Sequence, residues 1–300
     1  MSMHISVEIP IFMKGTCSRS VFADMPDPAQ LHHLVRLLDD DSPIVREEVM
    51  KGFAAFGPLL TEELTRQRIR LTETQRSTLE PILDEHNREW LTQAWPTWMD
   101  MKGDKARLEG ALGLLADFLY SRLHLVTLAA ALDELAESFM ARNATANAIE
   151  LARFLFHERG LRGVSPEDYY NPQNSNLLHV IGQKRGLPIS LACIYILTGH
   201  RVGVRIEGCN FPGHFLAIAS LQRRKVLVDC FNGGRFIREE DLAAIHADVS
   251  LHDILRLECR STMIIARVLR NLMYAYKQSG RNQNAQLIAD LLAPLLSGTA

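Results

Sequence analysis

Apolar residues recur at three- and four-residue steps through most of the chain, the period of one face of an α-helix. Leu31, Leu34, Val35 and Leu38 form the first such stripe. The run Asp39-Asp40-Asp41 ends it, and Ser42-Pro43 suits a new helix start. There Ser42 would be the N-cap and Pro43 the first helical residue, whose missing N–H costs nothing. Val45, Val49 and Phe53 follow at four-residue steps until Gly57-Pro58 breaks the pattern. Thr72-Glu73-Thr74-Gln75 reads as a capping box opening a helix toward Trp90. Trp90, Trp95 and Trp98, around Pro96, read better as packing than as a binding surface. Helical periodicity then continues through residues 108–123, 125–139 and 146–157, with Gly160 as the expected C-cap.

After Gly163 the texture changes. Val202, Val204 and Ile206 alternate with Gly203, Arg205 and Glu207. The segment HFLAIA then leads through the turn SLQRRK into VLVDCF. Period-two alternation around a charged turn predicts at least three antiparallel strands, confined to residues 202–237. The basic cluster Arg223-Arg224-Lys225 reads as a solvated hairpin tip. From Ser261 two helical stripes return, Ile265, Leu269, Leu272 and Tyr276, then Ala285, Ile288, Ala289 and Leu292, separated by Ser279-Gly280. The fold class expected is mostly helical α+β.

Composition narrows the function classes. The chain has 300 residues, 47% of them hydrophobic, and a net charge of -2 from 33 Lys+Arg against 35 Asp+Glu. That balance lacks the basic excess of a nucleic-acid binder. No apolar run reaches a membrane span, because Asp117, Arg122, His124 and Asp133 interrupt the richest stretch. The first ten residues carry no basic start and no apolar signal core, so a soluble cytoplasmic protein is expected. Five scattered cysteines, Cys17, Cys193, Cys209, Cys230 and Cys259, fit reduced thiols better than disulfides. There is no CxxC, HExxH or Gly-rich phosphate loop, and His32-His33 point about 100° apart on a helix. No metal and no cofactor is expected.

The candidate chemistry lies in the strand region. His214 in NFPGHFLAI and Asp229 in VLVDCF are spaced so that two neighbouring strands can bring both side chains to one end of the pair. A helix followed by strands bearing a His and then an Asp is the order of papain-like and transglutaminase-like folds. There a cysteine at the helix N-terminus is activated by the His, which the Asp orients.

The segments DYYNPQNSN, RGLPISLACIY, EGCNFPGHFLAI and VLVDCFNGG, in that order, resemble the transglutaminase-like core of the bacterial SirB regulator family, also carried by some F-box proteins. The resemblance runs from about residue 106 to the C-terminal hairpin. It implies a helical subdomain and a small antiparallel sheet against the helix that starts at Pro188. The stretch from Leu31 to Gly57 is similar to a HEAT-type hairpin, and the last two stripes resemble a single tetratricopeptide-like unit. Domains are accordingly expected at 1–100 (HEAT-like), 101–258 (core) and 259–300 (C-terminal hairpin).

The departure from the family pattern is the nucleophile. Aligned on Gly186 and Ala192, the cysteine's place falls on Pro188, which has no atom that can attack a carbonyl. Two substitutes are open. Ser190 is still in the first turn and would need activation by His214. Cys193 is rotated about 140° from Pro188 and also reads as a small buried hydrophobe. Asn174, Ser175 and Asn210 are expected near the same pocket, although turn and cap roles explain them too. His214 itself reads either as a base or as a structural partner of Asp229. The favoured expectation is a catalytically degenerate transglutaminase-like protein that binds an unknown protein or peptide in a regulatory or scaffolding role. The rival is a hydrolase or acyltransferase using Ser190 or Cys193 with His214 and Asp229.

Overall fold

The computed structural model describes residues 26–297 except Leu125, Asn143, Ala144, Pro212, Gln222, Arg223 and residues 238–257. Cys17 and Arg223, both named above, lie outside the described residues. The described residues divide into two compact units, one ending at Gly57 and one beginning at Pro58.

The first unit is the expected hairpin of α1 (Leu31–Leu37) and α2 (Pro43–Ala55). Leu31, Leu38, Val49, Phe53 and Phe56 are its buried hydrophobic positions. Ser42 does stand at the N-cap of α2, but its side chain makes no capping bond. Its backbone N–H donates instead to Asp40 Oδ1 at 2.8 Å, so the acidic run before the helix forms the turn.

In the second unit α3 (Leu60–Arg66) precedes α4 (Glu73–Ala94). The capping box forms as predicted: Gln75 N–H donates to Thr72 Oγ1 at 3.2 Å, and Thr72 N–H to Gln75 Oε1 at 3.1 Å. Trp95 and Trp98 follow, buried and edge to face at 5.9 Å. Next come α5 (Asp104–Leu119), α6 (Leu128–Met140) and α7 (Ala148–Ala152), the last widening into a π turn over Arg153–Glu158. Gly160, at φ +76°, reverses the chain into β1 (Arg162–Gly163).

A parallel ladder joins β1 to β2 (Arg185–Gly186), which follows α8 (Leu177–Gln183) and leads directly into α9 (Pro188–Arg201). Every residue of α9 from Pro188 to Gly199 is buried, so this helix is the centre of the unit. A five-stranded antiparallel sheet packs beside it: β3 (Ile206–Cys209), β4 (Leu216–Leu221), β5 (Arg224–Asp229), β6 (Arg235–Ile237) and β7 (Glu258–Cys259), in the order β6-β5-β4-β3-β7. The chain closes with α10 (Ser261–Gln278) and α11 (Asn282–Ser297), whose two expected stripes are turned inward. One continuous core runs from α5 through α9 to the sheet and α10, and a smaller cluster of Cys209, Phe211, Leu216, Ile218 and Leu227 covers the opposite sheet face.

The molecule is thus a mostly helical α+β protein, as the two periodicities predict. Two details differ. Val202 and Val204 are not in a strand, because α9 continues to Arg201 and is closed by Val204 N–H bonding Gly199 C=O at 2.8 Å. Gly203 at φ +72° makes that closure possible, and the first strand starts only at Ile206. The sheet also takes a strand from outside residues 202–237, since Glu258–Cys259 pairs with β3. Among the described residues no helix is long and apolar enough to cross a membrane.

Candidate functional site

The β4–β5 ladder pairs Ala217 with Val228, which puts the residues just before β4 opposite the end of β5. His214 and Asp229 therefore meet. His214 Nε2 lies 2.9 Å from Asp229 Oδ1. A carboxylate only accepts, so the ring donates from Nε2 and its proton sits there. Asp229 is the hub of the turn that follows: its Oδ1 also accepts from the N–H groups of Phe231 and Asn232, both at 3.1 Å, and its Oδ2 from Asn232 Nδ2 at 2.7 Å. Burial pushes the Asp229 carboxyl up, but the hydrogen bonds from His214 and Asn232 outweigh it and hold its pKa below the ordinary value. His214 Nδ1 has no hydrogen-bond partner among the described residues, and the ring stands edge-on to Phe231 with centroids 6.1 Å apart.

The surroundings fix this pair from two sides. Gly163 N–H donates to Phe231 C=O at 3.0 Å, and a Cβ on Gly163 would strike the Phe231 ring at 2.5 Å. Gly163 is in turn the ladder partner of Gly186, two residues before α9. The approach to α9 is thereby tied to the Asp229 turn. On the other side, Arg267 of α10 donates to Asn210 Oδ1 and, at 3.3 Å, to Phe211 C=O, and lies 5.4 Å over the Phe215 ring. His214 N–H bonds Phe211 C=O at 3.2 Å, so Arg267 holds the loop that carries the histidine. Asn210, expected near the pocket, is thus engaged by α10.

The other candidates do not join His214. Pro188 occupies the first position of α9 and is buried. The Ser190 hydroxyl is buried and donates to Asn174 C=O at 2.7 Å. Asn174 is only 1% exposed; its amide donates to Asp168 C=O while its Oδ1 has no partner among the described residues. Ser175 is buried as well. Cys193 is fully buried, and desolvation pushes its thiol up to about 12. Burial likewise raises Cys209 to about 12, Cys259 to about 11 and Cys230 well above the ordinary range, the last with help from the Asp229 charge. Each of these four cysteines is a reduced thiol, protonated at neutral pH. Among the described residues no three His, Cys, Asp or Glu side chains converge as metal ligands do.

Sequence reasoning missed Phe231, Asn232 and Arg267. Asn232 was within reach, since Asp followed by Asn in a Gly-Gly turn signals an Asx-type turn. Nothing local points to Arg267, which sits in the helical stripe region far along the chain. Chemically, the site is an oriented imidazole with one nitrogen anchored and one unengaged, facing no acidic nucleophile among the described residues.

Comparison with known proteins gives the same region. Residues 124–270 match the model of the transglutaminase-like superfamily. The chain is 35% identical over 153 residues to a UPF0162 protein of Xylella fastidiosa (strain 9a5c), covering 48% of this chain and 54% of that one. It is 28% identical over 136 residues to F-box only protein 21 of Mus musculus, covering 42% of this chain and 21% of that one. A UPF0162 protein of Vibrio cholerae is 29% identical over 82 residues, 27% of this chain and 30% of that one. The chain spans about half the length of the first of these relatives. No solved structure matches it.

Proposed function

We propose that this chain belongs with the SirB regulators and that its transglutaminase-like core has lost its nucleophile, serving as a protein- or peptide-binding module in a regulatory or scaffolding role. The observation that carries this reading is the start of α9. A transglutaminase-like reaction needs a thiolate in the first helical turn, stabilised by the helix dipole and the histidine. Pro188 stands there instead, the Ser190 proton is spent on Asn174 C=O, and Cys193 is a buried neutral thiol. Without a nucleophile, the His214–Asp229 pair is a rigid polar feature at the sheet end, suited to hold a partner's donor at His214 Nδ1. The N-terminal hairpin as a HEAT-like element and α10–α11 as a tetratricopeptide-like one would each offer a further helical surface. The stretch shared with a protein named for an F-box supports a place in a protein assembly. Reduced thiols fit work in a reducing compartment such as the cytoplasm.

The test is thiol and acyl chemistry on the full chain. Iodoacetamide should label Cys193 no faster than an ordinary thiol, and equally in the unaltered protein and in His214→Ala, and amide or ester substrates should leave no acyl adduct by mass. Pro188→Cys should label rapidly, in a His214-dependent manner. Fast His214-dependent alkylation of Cys193, or an acyl group on Ser190, would overturn the reading in favour of an active acyltransferase or hydrolase.

A further inference from the structure

A cavity of about 610 Å³ lies where the end of α3, its connection to α4, the first turn of α4 and Leu123 come together. Arg68, Arg70 and Arg76 line it, and Leu64, Leu71 and Leu123 form apolar wall. Among the described residues no acidic side chain lines it. Among the described residues none of the three guanidiniums has an ion-pair partner. Their neighbour Arg66 shows the contrast, bound at 2.5 Å to Glu63. Three cations without an ion-pair partner among the described residues thus line one cavity, in a chain whose net charge is -2.

The backbone adds an independent observation. Arg68 is the second residue past the end of α3, after the C-cap Gln67, at φ +55°, with its own N–H on Thr65 C=O and Ile69 N–H on Leu64 C=O at 2.9 Å. This is the helix-ending position where glycine is relaxed and a side chain is strained. A cation thus stands where glycine would be relaxed, as Arg122 and Lys184 also do elsewhere in the chain, and here it lines the cavity.

We propose that this cavity binds a small organic anion, a phosphate or carboxylate carried on an apolar body. Guanidinium forks match both head groups bidentately, and the leucine wall takes the apolar part. The volume falls within the range of small-molecule sites. The site is separate from His214 and does not depend on what that residue does.

The full chain would be titrated calorimetrically at low salt with 2-naphthyl phosphate, 2-naphthoate, inorganic phosphate and 2-naphthol. Either naphthyl anion should bind more tightly than both 2-naphthol and inorganic phosphate, with the tighter one naming the head group, and added salt should weaken it. Arg70→Gln and Arg76→Gln should each weaken binding by about fivefold or more, the loss of one charge-assisted contact. Arg68→Gly should weaken binding similarly while leaving the melting temperature unchanged or raised, a combination a structural arginine would not give. The proposal fails if 2-naphthol binds as well as the anions, if no heat is seen at millimolar ligand, or if Arg68→Gly and Arg70→Gln bind like the unaltered chain.

Discussion

Two His–Asp pairs in this molecule use the same residue types to opposite ends. In the sheet, Asp229 gathers four donors and His214 spends one nitrogen on it. In the connection after α5, the imidazole is the hub: His124 Nε2 lies 2.6 Å from Asp117 Oδ1, and Nδ1 lies 2.8 Å from Val126 C=O. Carboxylate and carbonyl both only accept, so both nitrogens of His124 donate and the ring is held as a cation. The hydrogen bond to Asp117 raises its pKa, outweighing the opposing effect of burial. His124 is a charged staple across the α5–α6 connection, whereas His214 Nδ1 meets no partner among the described residues. What the second ring nitrogen meets decides which kind of pair forms.

The largest effect should come from the sheet pair. Asp229→Ala leaves the His214 Nε2–H and the Phe231 and Asn232 N–H groups without an acceptor, an expected loss of about 1–3 kcal/mol in denaturant unfolding. An effect within the ±0.5 kcal/mol or so of an ordinary surface change would show that the hub role is wrong.

The loop pair should matter less and with the opposite pH signature. Asp117→Asn is expected to cost about 0.5–1.5 kcal/mol near pH 6. His124 has a folded pKa above its ordinary 6.5, so its contribution is complete below that pH and drains away as pH rises through the folded value. Asp229 has a folded pKa below its ordinary 3.8, so its contribution is complete above that value and is lost as pH falls through the folded one. Stability measured against pH should therefore show Asp117→Asn converging on the unaltered protein toward alkaline pH, and Asp229→Asn converging toward acid. Convergence at the same end would erase the distinction.

The finest test changes no stability at all. Nitrogen-15 spectra should show both nitrogens of His124 protonated near pH 6, and neutral His214 protonated on Nε2 with Nδ1 bare. A neutral His214 carrying its proton on Nδ1 would mean that Asp229 does not orient it.

Local features are legible in the amino-acid order. The Thr72–Gln75 capping box, the Gly160 turn and the stripes of α10 and α11 depend on neighbours within a few residues, so their physics is in the sequence itself. The meeting of His214 and Asp229 is legible too, because two strands joined by one turn leave little freedom of register. Asp117 and His124, by contrast, read only as interruptions in an apolar run. Ser42 reads as a cap, yet the neighbouring Asp40 takes the local donor instead.

What the chain's own pattern determined was the element types, most helix ends, the hairpin that joins His214 to Asp229, and the proline at the head of α9. Tertiary structure alone decided which polar groups those elements meet. Glu258–Cys259 became an edge strand, Arg267 reached the His214 loop, and Ser190 turned to Asn174 C=O. The reason is physical: periodicity reports which side of an element leaves water, but a hydrogen bond or a pKa depends on the atoms brought within a few ångströms by packing between distant segments.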